Sequence, residues 1–114
     1  MIDFACKQFS LDEIIKCGLG LTKAEFRILQ YFLDNQDWIE SQNISKYLEL
    51  DLSTVQRGVK KLYQKGIIRR AQHNLEKGGY VYVYQIKNKQ EVRHVIMDIV
   101  HNWVNRLEQE IQKW

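Results

Sequence analysis

Basic side chains are concentrated in one stretch of this sequence, from Ser53 to Tyr80. The stretch contains seven lysine or arginine residues and one acidic residue, Glu76, so its net charge is +6, whereas the whole chain carries +3. A basic segment in a chain whose remainder is acidic is typical of a surface that binds a polyanion such as nucleic acid. The alternative is a merely basic surface without a polyanionic partner.

Candidate catalytic and metal-binding residues are few, and their spacing favours neither chemistry. Cys6 and Cys17 are eleven positions apart, which matches neither a C-x-x-C motif nor a zinc site. We expect both to be small buried apolar residues without a structural disulfide, with a redox switch as the alternative. His94 and His101 would share a helix face near Asp98, but this pattern does not predict a metal site. No nucleophile–base pair and no phosphate-binding glycine loop is recognisable, so we expect neither an enzyme nor a bound cofactor.

The segment 52–65 is the element that would present the basic residues. Its apolar residues recur at the i, i+4 and i+7 positions of a helix: Val55, Val59 and Leu62. Asp51 stands at the N-cap position, and Gly66 follows the last turn, where a C′ glycine ends many helices. The basic residues fall on the opposite arc, so we predict an amphipathic helix with a basic outer face. Gly58 lies at the edge of the apolar stripe and is expected to allow close packing against a neighbouring helix.

The flanking segments predict a helix-turn-helix followed by a β-hairpin. Upstream, a short helix capped by Ser41 and a tight turn at 49–51 lead into the helix 52–65. Downstream, a strand that begins near Ile68, a polar basic segment with two glycines, and an alternating strand at 80–86 form a wing. We therefore predict a mainly α-helical fold with a small β-hairpin wing (α+β), a winged helix-turn-helix.

Two capping-box patterns predict two further helices before the helix-turn-helix. Ser10–Glu13 would start a short helix, and Thr22–Glu25 would start a longer one. The longer helix is expected to bury five apolar residues: Phe26, Ile28, Leu29, Phe32 and Leu33. Phe4 and Phe9 are expected to dock the N-terminal segment on the core, and residues 38–39 are expected to form a short edge strand that joins the wing.

Two segments resemble a known family. S-T-V-Q-R-G-V-K-K-L-Y-Q-K-G-I-I resembles the recognition-helix-to-wing segment of MarR/TrmB-type winged-helix transcriptional regulators, especially small archaeal ones. L-T-K-A-E-F-R-I-L-Q-Y-F-L resembles their first winged-helix helix, so that the resemblance covers roughly residues 19–86. It implies a sequence-specific regulator that binds double-stranded DNA, with the recognition helix 52–65 in the major groove and the wing 69–80 on the minor groove or the backbone.

The expected DNA contacts divide into contacts with bases and contacts with phosphates. Base edges should be approached by residues of the first half of the recognition helix: Ser53, Thr54, Gln56 and Arg57, with Lys60 nearby. Arg57 suits guanine, to which it can donate two hydrogen bonds, and Gln56 suits adenine. Phosphates should be contacted by the helix, the wing and the start of the preceding helix: Lys61, Arg69, Arg70, Lys77, Ser41 and Gln42. From the wing tip, Lys77 can also reach the minor groove.

The C-terminal segment 89–114 predicts a long amphipathic helix of about 39 Å. Its apolar residues are three or four positions apart, close to a heptad repeat: Val92, Ile96, Ile99, Trp103, Leu107, Ile111 and Trp114. A DNA-binding domain of residues 1–88 is too small to cover this face, so we expect 89–114 to be a dimerisation helix that pairs with a second copy in a homodimer. The alternative is a helix packed entirely on its own domain, and in both cases the two parts form one compact unit.

The remaining composition is that of an ordinary globular chain. Hydrophobic residues make up 45% and charged residues 27%, so disorder is not expected. No apolar run approaches the roughly 18 residues of a membrane span, and the N-terminus lacks the pattern of a signal peptide, so we expect a cytoplasmic protein. The rival interpretation is a winged-helix protein–protein interaction module of a transcription or other assembly, and RNA binding is a weaker third. The sequence indicates no small-molecule effector.

Overall fold

Nine elements follow one another in a computed structural model that describes residues 1–114. In chain order they are β1 (Ile2–Phe4), β2 (Lys7–Phe9), α1 (Leu11–Leu19), α2 (Lys23–Asp34), α3 (Ser41–Leu48), α4 (Leu52–Gln64), β3 (Ile68–Asn74), β4 (Tyr80–Ile86) and α5 (Lys89–Lys113). Helices α2 to α4 and the β3–β4 hairpin form the winged helix-turn-helix that the sequence predicts. The β1–β2 hairpin was not predicted.

Side-chain hydrogen bonds start the first two helices at the capping-box patterns. At the start of α1, the Glu13 N–H donates to the Ser10 hydroxyl at 3.1 Å. At the start of α2, the Glu25 N–H donates to Thr22 Oγ1 at 3.2 Å, and the Thr22 N–H donates to the Glu25 carboxylate at 2.8 Å. These bonds satisfy backbone N–H groups that a helix start would otherwise leave unpaired.

The hydrophobic core lies where α2, α3 and α4 meet the base of the wing. It consists of one cluster of thirteen buried residues: Leu19, Leu21, Ile28, Leu29, Phe32, Ile39, Ile44, Val55, Val59, Leu62, Ile67, Ile68 and Ile86. In α2, Ile28 and Phe32 are fully buried, whereas Leu33, which was expected to be buried, is 47% exposed. Only a limited arc of a helix can face the core, and Leu33 lies outside that arc.

The turn between α3 and α4 differs in detail from the expectation. Ser41 is the first residue of α3, and Glu40 occupies the N-cap position without a side-chain capping bond, so the prediction of a Ser41 cap is wrong by one position. Glu49 ends α3 in the left-handed conformation, with φ 55°. Asp51 is the N-cap of α4, as predicted, but its side chain makes no capping hydrogen bond.

The end of α4 is closed by the predicted glycine. The Gly66 N–H donates to the Tyr63 carbonyl oxygen at 3.1 Å, and the Ile67 N–H donates to the Leu62 carbonyl oxygen at 3.0 Å. Gly66 has φ 81°, which a residue with a side chain rarely adopts. This pair of bonds is a Schellman motif, and it directs the chain from α4 into β3.

The wing is an antiparallel hairpin whose base belongs to the core. Pairing runs from Ile68 opposite Ile86 to Asn74 opposite Tyr80. Ile39 joins the hairpin through a single bridge to Tyr84, with backbone hydrogen bonds of 2.8 and 2.9 Å, so the expected edge strand is present but is reduced to one residue pair. Because side chains alternate, one face continues outward from the buried isoleucines. That face carries Arg70, Gln72, Asn74, Tyr80, Tyr82 and Tyr84.

The β1–β2 hairpin stands at the surface of the molecule. Its strands pair from Ile2 opposite Phe9 to Phe4 opposite Lys7, so the backbone hydrogen bonds of the hairpin are made within the hairpin itself. Phe4 is 60% exposed, and the expectation that it docks on the core is wrong. Cys6 in the turn and Cys17 in α1 are free thiols and both are exposed, which also contradicts their expected burial.

Helix α5 is continuous over 25 residues and extends beyond the core. In its first half, Val92, Val95 and Ile99 are partly buried against the core cluster. From His101 to Trp114 every residue is exposed, and the molecule measures 62 × 24 × 24 Å. The predicted long helix is confirmed, and its second half projects away from its own domain. None of the helices combines the length and the hydropathy that a membrane span requires.

Candidate nucleic-acid interface

The outer face of α4 presents the five residues expected to approach base edges. Ser53, Gln56, Arg57 and Lys60 are exposed, and Thr54 is half-buried. The apolar stripe on the other side of the helix is fully buried, so this outer face is the one that a partner can reach. Arg57 Nη2 lies 3.5 Å from Thr54 Oγ1, at the limit of hydrogen bonding, which leaves the guanidinium available to bind a partner.

Close packing against α2 fixes the orientation of α4. A Cβ atom on Gly58 would lie 2.7 Å from Cδ1 of Ile28 and 3.5 Å from Cγ of Glu25. The absence of a side chain at Gly58 therefore lets the two helices approach, and the expected close contact with a neighbouring helix is confirmed. Helix α4 is therefore packed closely on the side that faces α2, and its opposite side is open to solvent.

Lys61 forms an ion pair within the protein, unlike Arg57 and Lys60, the other basic residues of α4. Its Nζ atom donates to the Glu25 carboxylate at 2.8 Å and to the Gly20 carbonyl oxygen at 2.8 Å. Burial raises the pKa of Glu25, but hydrogen bonds from Lys61 and Thr22 and the charge of Lys61 outweigh this effect and hold the pKa below its ordinary value. The ion pair ties α4 to the start of α2. The ammonium group of Lys61 thus already has two partners within the protein. The phosphate contact expected of Lys61 stays a prediction.

Adjacent arginines of β3 have different surroundings. Arg69 is exposed and forms no ion pair. The Arg70 guanidinium carbon lies 4.6 Å from the ring centroid of Tyr63 on α4 and 4.4 Å from that of Tyr82 on β4. Both distances are within the range of cation–π attraction. Sequence reasoning did not find this aromatic environment, although the alternating tyrosines of the strand 80–86 were a signal for it.

The tyrosines of β4 form a row along the same face of the wing. The rings of Tyr80 and Tyr82 meet edge to face, with centroids 5.3 Å apart. A hydrogen bond with Tyr82 raises the pKa of the Tyr80 hydroxyl, and burial raises that of Tyr84 despite the nearby charge of Arg70. Both shifts favour the neutral form of the phenol.

The wing tip and the start of α3 supply the remaining candidate phosphate contacts. Lys77 lies exposed in the turn of the hairpin, next to Gly78 and Gly79, whose φ angles are 92° and 80°. Ser41 and Gln42 are the first two residues of α3, where backbone N–H groups have no partner within the helix. Gln42 is exposed and Ser41 is half-buried. Their expected roles stay predictions.

The apolar face of α5 is divided into two parts. Val92 and Ile99 pack against the core cluster of their own chain, and Ile96 is half-buried. The remaining residues of the face are exposed: Trp103, Leu107, Ile111 and Trp114. The alternative of a helix packed along its whole length on its own domain is therefore wrong for this chain.

Acidic, cysteine and histidine side chains do not gather into a metal site. No three of them are positioned to hold an ion. Of the three residues expected near one another on α5, His94 and Asp98 are in contact, with His94 Nε2 at 3.4 Å from Asp98 Oδ2 and both side chains exposed.

The architecture is shared with several solved proteins. A protein from Methanosarcina mazei Go1 described as a possible transcriptional regulator is 51% identical, with a TM-score of 0.93 over 100% of this chain and 96% of that chain. A MarR-family regulator from Silicibacter pomeroyi is 16% identical, with a TM-score of 0.54 over 89% of this chain and 66% of that chain. A mutant of S. aureus MepR bound to an oligodeoxyribonucleotide is 15% identical, with a TM-score of 0.56 over 90% and 72% of the two chains. The last two likenesses show the fold alone.

A family model that matches most of the chain identifies the family. The resemblance to MarR/TrmB-type regulators is confirmed for the winged-helix fold, but not for membership of that type. Residues 9–107 match the DnaD N-terminal domain, a span that takes in every element from α1 to most of α5. This winged-helix chain belongs to the DnaD N-terminal domain family.

Proposed function

We propose that this protein is a homodimeric transcriptional regulator that binds double-stranded DNA sequence-specifically, with α4 in the major groove and the β3–β4 wing on the minor groove or the backbone. One observation carries the proposal. Of the seven basic residues between Ser53 and Tyr80, only Lys61 forms an ion pair with an acidic side chain. The other six positive charges have no acidic partner. Five of them have no other charge-stabilising contact either, since only Arg70 lies against aromatic rings, and phosphates are a partner that would neutralise these five.

The dimensions and surface of α4 suit the major groove. Its thirteen residues span about 20 Å, and the groove is about 12 Å wide, enough to admit a helix. Arg57 would donate two hydrogen bonds to guanine, and Gln56 would bond to adenine. Ser53 and Thr54 lie close by at the start of the helix, and Lys60 lies one turn after Gln56.

The wing and the start of α3 would position the protein on the sugar–phosphate backbone. Arg69 and Lys77 are exposed cations without an ion-pair partner, at the middle and the tip of the wing. Ser41 and Gln42 would offer backbone and side-chain donors to a phosphate at the start of α3. Contacts of this kind hold the recognition helix in register but do not distinguish one sequence from another.

The distal half of α5 supports a homodimer. Trp103 is 49% exposed and Trp114 is fully exposed, and large apolar side chains in this state usually mark an interface. A second copy of the same helix is the partner whose length and apolar spacing match. A two-fold dimer would present two copies of α4 to half-sites about 34–36 Å apart, so the operator would be a near-palindrome.

Two relatives agree with this proposal. The M. mazei protein, 51% identical to this chain, is described as a possible transcriptional regulator. The S. aureus MepR mutant, which shares the fold, was solved with an oligodeoxyribonucleotide bound to it. A shared fold does not establish a function, but the unpaired cations of this chain lie on the elements that winged helices use for DNA.

Selection from a pool of random DNA duplexes, followed by affinity measurements between about 50 and 200 mM salt, tests the proposal. We expect the logarithm of the affinity to fall linearly with the logarithm of the salt concentration, by about 0.9 for each phosphate neutralised. We also expect the enriched sequences to be near-palindromes. Absence of binding at low salt, or a flat salt dependence, would contradict DNA binding, and a pool without enrichment would contradict sequence specificity.

A protein–protein interaction module of a transcription or other assembly is the second candidate. Met1, Ile2 and Phe4 are exposed on the N-terminal hairpin, an apolar patch separate in sequence from the dimerisation helix. Specific duplex affinity, measured before and after deletion of residues 1–9, separates the two candidates. A DNA-binding regulator keeps its duplex affinity after the deletion, whereas an interaction module has no specific duplex affinity before or after it.

A further inference from the structure

Arg70 links the wing to the recognition helix through two aromatic rings. Tyr63 belongs to the last turn of α4, and Tyr82 belongs to β4, the second strand of the wing. The guanidinium carbon of Arg70 is within 4.6 Å of both ring centroids. One cation is thus attracted to a ring on α4 and to a ring on the wing. The contact with Tyr63 is the one that joins the wing to α4.

Further contacts support the same cluster. Tyr80 packs edge to face on Tyr82, and Tyr84, opposite Arg70 in the ladder, is half-buried. The wing beyond this point has few other attachments to the domain. Its base is held by the buried Ile68 and Ile86, but the residues from Gln72 to Tyr80 are all exposed. The cluster therefore stands where the wing leaves the core.

Arg69 provides the internal comparison. It has the same charge, is one position away in the same strand, and lies on the opposite face of the hairpin. It contacts no aromatic ring within cation–π distance and forms no ion pair. A role that depends only on positive charge near DNA predicts similar behaviour for both arginines, whereas a role that depends on Tyr63 and Tyr82 predicts different behaviour.

We propose that Arg70 is a positioning residue that fixes the angle between the wing and α4, and that it does not bind phosphate itself. The proposal rests on the DNA-binding function proposed above. A wing that is free to move loses conformational freedom when it binds, and this loss lowers affinity. A wing held against Tyr63 has lost that freedom before binding, so α4 and the wing meet the duplex as one rigid surface.

Four variants separate this role from a phosphate contact. Arg70→Ala and Tyr63→Leu both remove the cation–π contact that joins the wing to α4, the first through the cation and the second through the ring. Tyr63→Phe keeps the ring and should behave as the wild type. Arg69→Ala is the charge-matched control, because it removes one positive charge from the same strand without affecting the cluster.

Hydrogen exchange of the wing amides, measured without DNA, is the first measurement. We expect the amides of β4 to exchange roughly 5- to 30-fold faster in Arg70→Ala and Tyr63→Leu, a factor set by the loss of one or two cation–π contacts. We expect Tyr63→Phe and Arg69→Ala to leave the exchange unchanged. Equal exchange in all five proteins would overturn the proposal, as would equal acceleration in Arg69→Ala.

The salt dependence of duplex affinity is the second measurement. Arg69→Ala should reduce the slope by about 0.9, the value for one lost phosphate contact. Arg70→Ala and Tyr63→Leu should lower affinity for all duplexes by up to the same 5- to 30-fold while the slope stays at the wild-type value. A slope reduced by about 0.9 in Arg70→Ala, together with wild-type affinity in Tyr63→Leu, would show that Arg70 binds phosphate. If the wild type binds no duplex, the proposed function fails, and the exchange experiment still decides whether Arg70 holds the wing.

Discussion

At the scale of single residues, the basic side chains of the proposed DNA-binding surface differ in what they contact. Arg57 and Lys60 are exposed on the outer face of α4 without an acidic partner. Lys61, the next residue after Lys60, donates to Glu25 across 36 positions of sequence. Two neighbouring lysines of one helix thus differ, because Lys61 joins α4 to α2 whereas Lys60 has no acidic partner in the protein.

Arg57→Ala tests base recognition. The substitution should reduce discrimination by about 1–3 kcal/mol at one base pair of each half-site, because a guanine loses its two hydrogen-bond donors. Lys77→Ala should instead weaken binding to all sequences about equally, since a lysine at the wing tip is expected to contact DNA phosphates, which are the same in every sequence. Competition binding with single-base-pair variants of a selected site measures both effects. Identical behaviour of the two variants would contradict the division between base readout and positioning.

Glu25→Gln tests the ion pair through the pH dependence of stability. The pKa of Glu25 is lowered in the folded state, so its carboxylate contributes stability above its unfolded pKa, near 4.5, and this contribution is lost as the pH falls through the folded pKa. We expect the variant to be less stable by about 1 kcal/mol at neutral pH and to approach the wild type in acid. Urea unfolding at a series of pH values measures the difference.

Glu13→Gln is the matched control for this measurement. Glu13 occupies the equivalent third position of α1 but is exposed and pairs with no lysine. Its replacement should have a smaller effect at neutral pH. A Glu25→Gln variant whose stability follows that of the wild type at every pH would show that the Lys61 ion pair contributes nothing.

At the scale of elements, the placement of α4 depends on the one residue in it that lacks a side chain. Gly58 allows Cδ1 of Ile28 to come within 2.7 Å of the position that a Cβ atom would occupy. A glycine inside a helix costs about 1 kcal/mol relative to alanine, so its presence is explained by the approach of α2. The same packing leaves the outer face of α4 free.

Gly58→Val should destabilise the fold. A branched side chain would overlap Ile28, and overpacking of this kind costs about 1–3 kcal/mol. Gln56→Val is the matched control, because it introduces the same residue at an exposed position of the same helix and changes mainly helix propensity. Thermal and urea unfolding of the two variants provide the comparison. Equal losses would mean that the close contact between α2 and α4 has no energetic weight.

At the scale of the whole molecule, α5 divides into a half that belongs to its own domain and a half that does not. Ile99 packs on the core cluster, whereas Trp103 and Leu107 are exposed on the projecting half. A substitution at Ile99 would therefore damage the fold and the proposed dimer together. Substitutions at Trp103 and Leu107 address the dimer alone.

The double variant Trp103→Gln/Leu107→Gln should dissociate the proposed dimer. Loss of a buried tryptophan alone costs about 3–5 kcal/mol, which corresponds to a dissociation constant raised by roughly a hundred-fold or more. Affinity for a palindromic site should fall together with dimerisation, while the thermal stability of each domain stays unchanged. Sedimentation at micromolar concentration and duplex binding are the two measurements.

Asn105→Gln, on the opposite side of α5, controls for changes to the helix itself. It should leave both the dimer and the DNA affinity intact. A wild-type protein that sediments as a monomer, or a double variant that stays a dimer, would contradict pairing through α5.

The features that sequence alone determined are those with local causes. The capping bonds of Ser10 and Thr22 join residues three positions apart, and the stripe of α4 repeats within two helical turns. The alternation of residues 80–86 fixes which tyrosines share a face of the wing. The helices, the two strands of the wing and their order were therefore predictable, although the β1–β2 hairpin was not, and with them the winged-helix fold and the basic character of its outer surface.

Only the tertiary structure decided which partners the side chains on those elements meet. Lys61 bonds to Glu25, and Arg70 approaches Tyr63 while Arg69 does not, because these contacts depend on distances between elements that no local pattern encodes. The same holds for the point along α5 at which the domain ends, since that depends on how far the core extends. Periodicity predicts which side chains share a face, but the packing of the whole chain determines what covers that face.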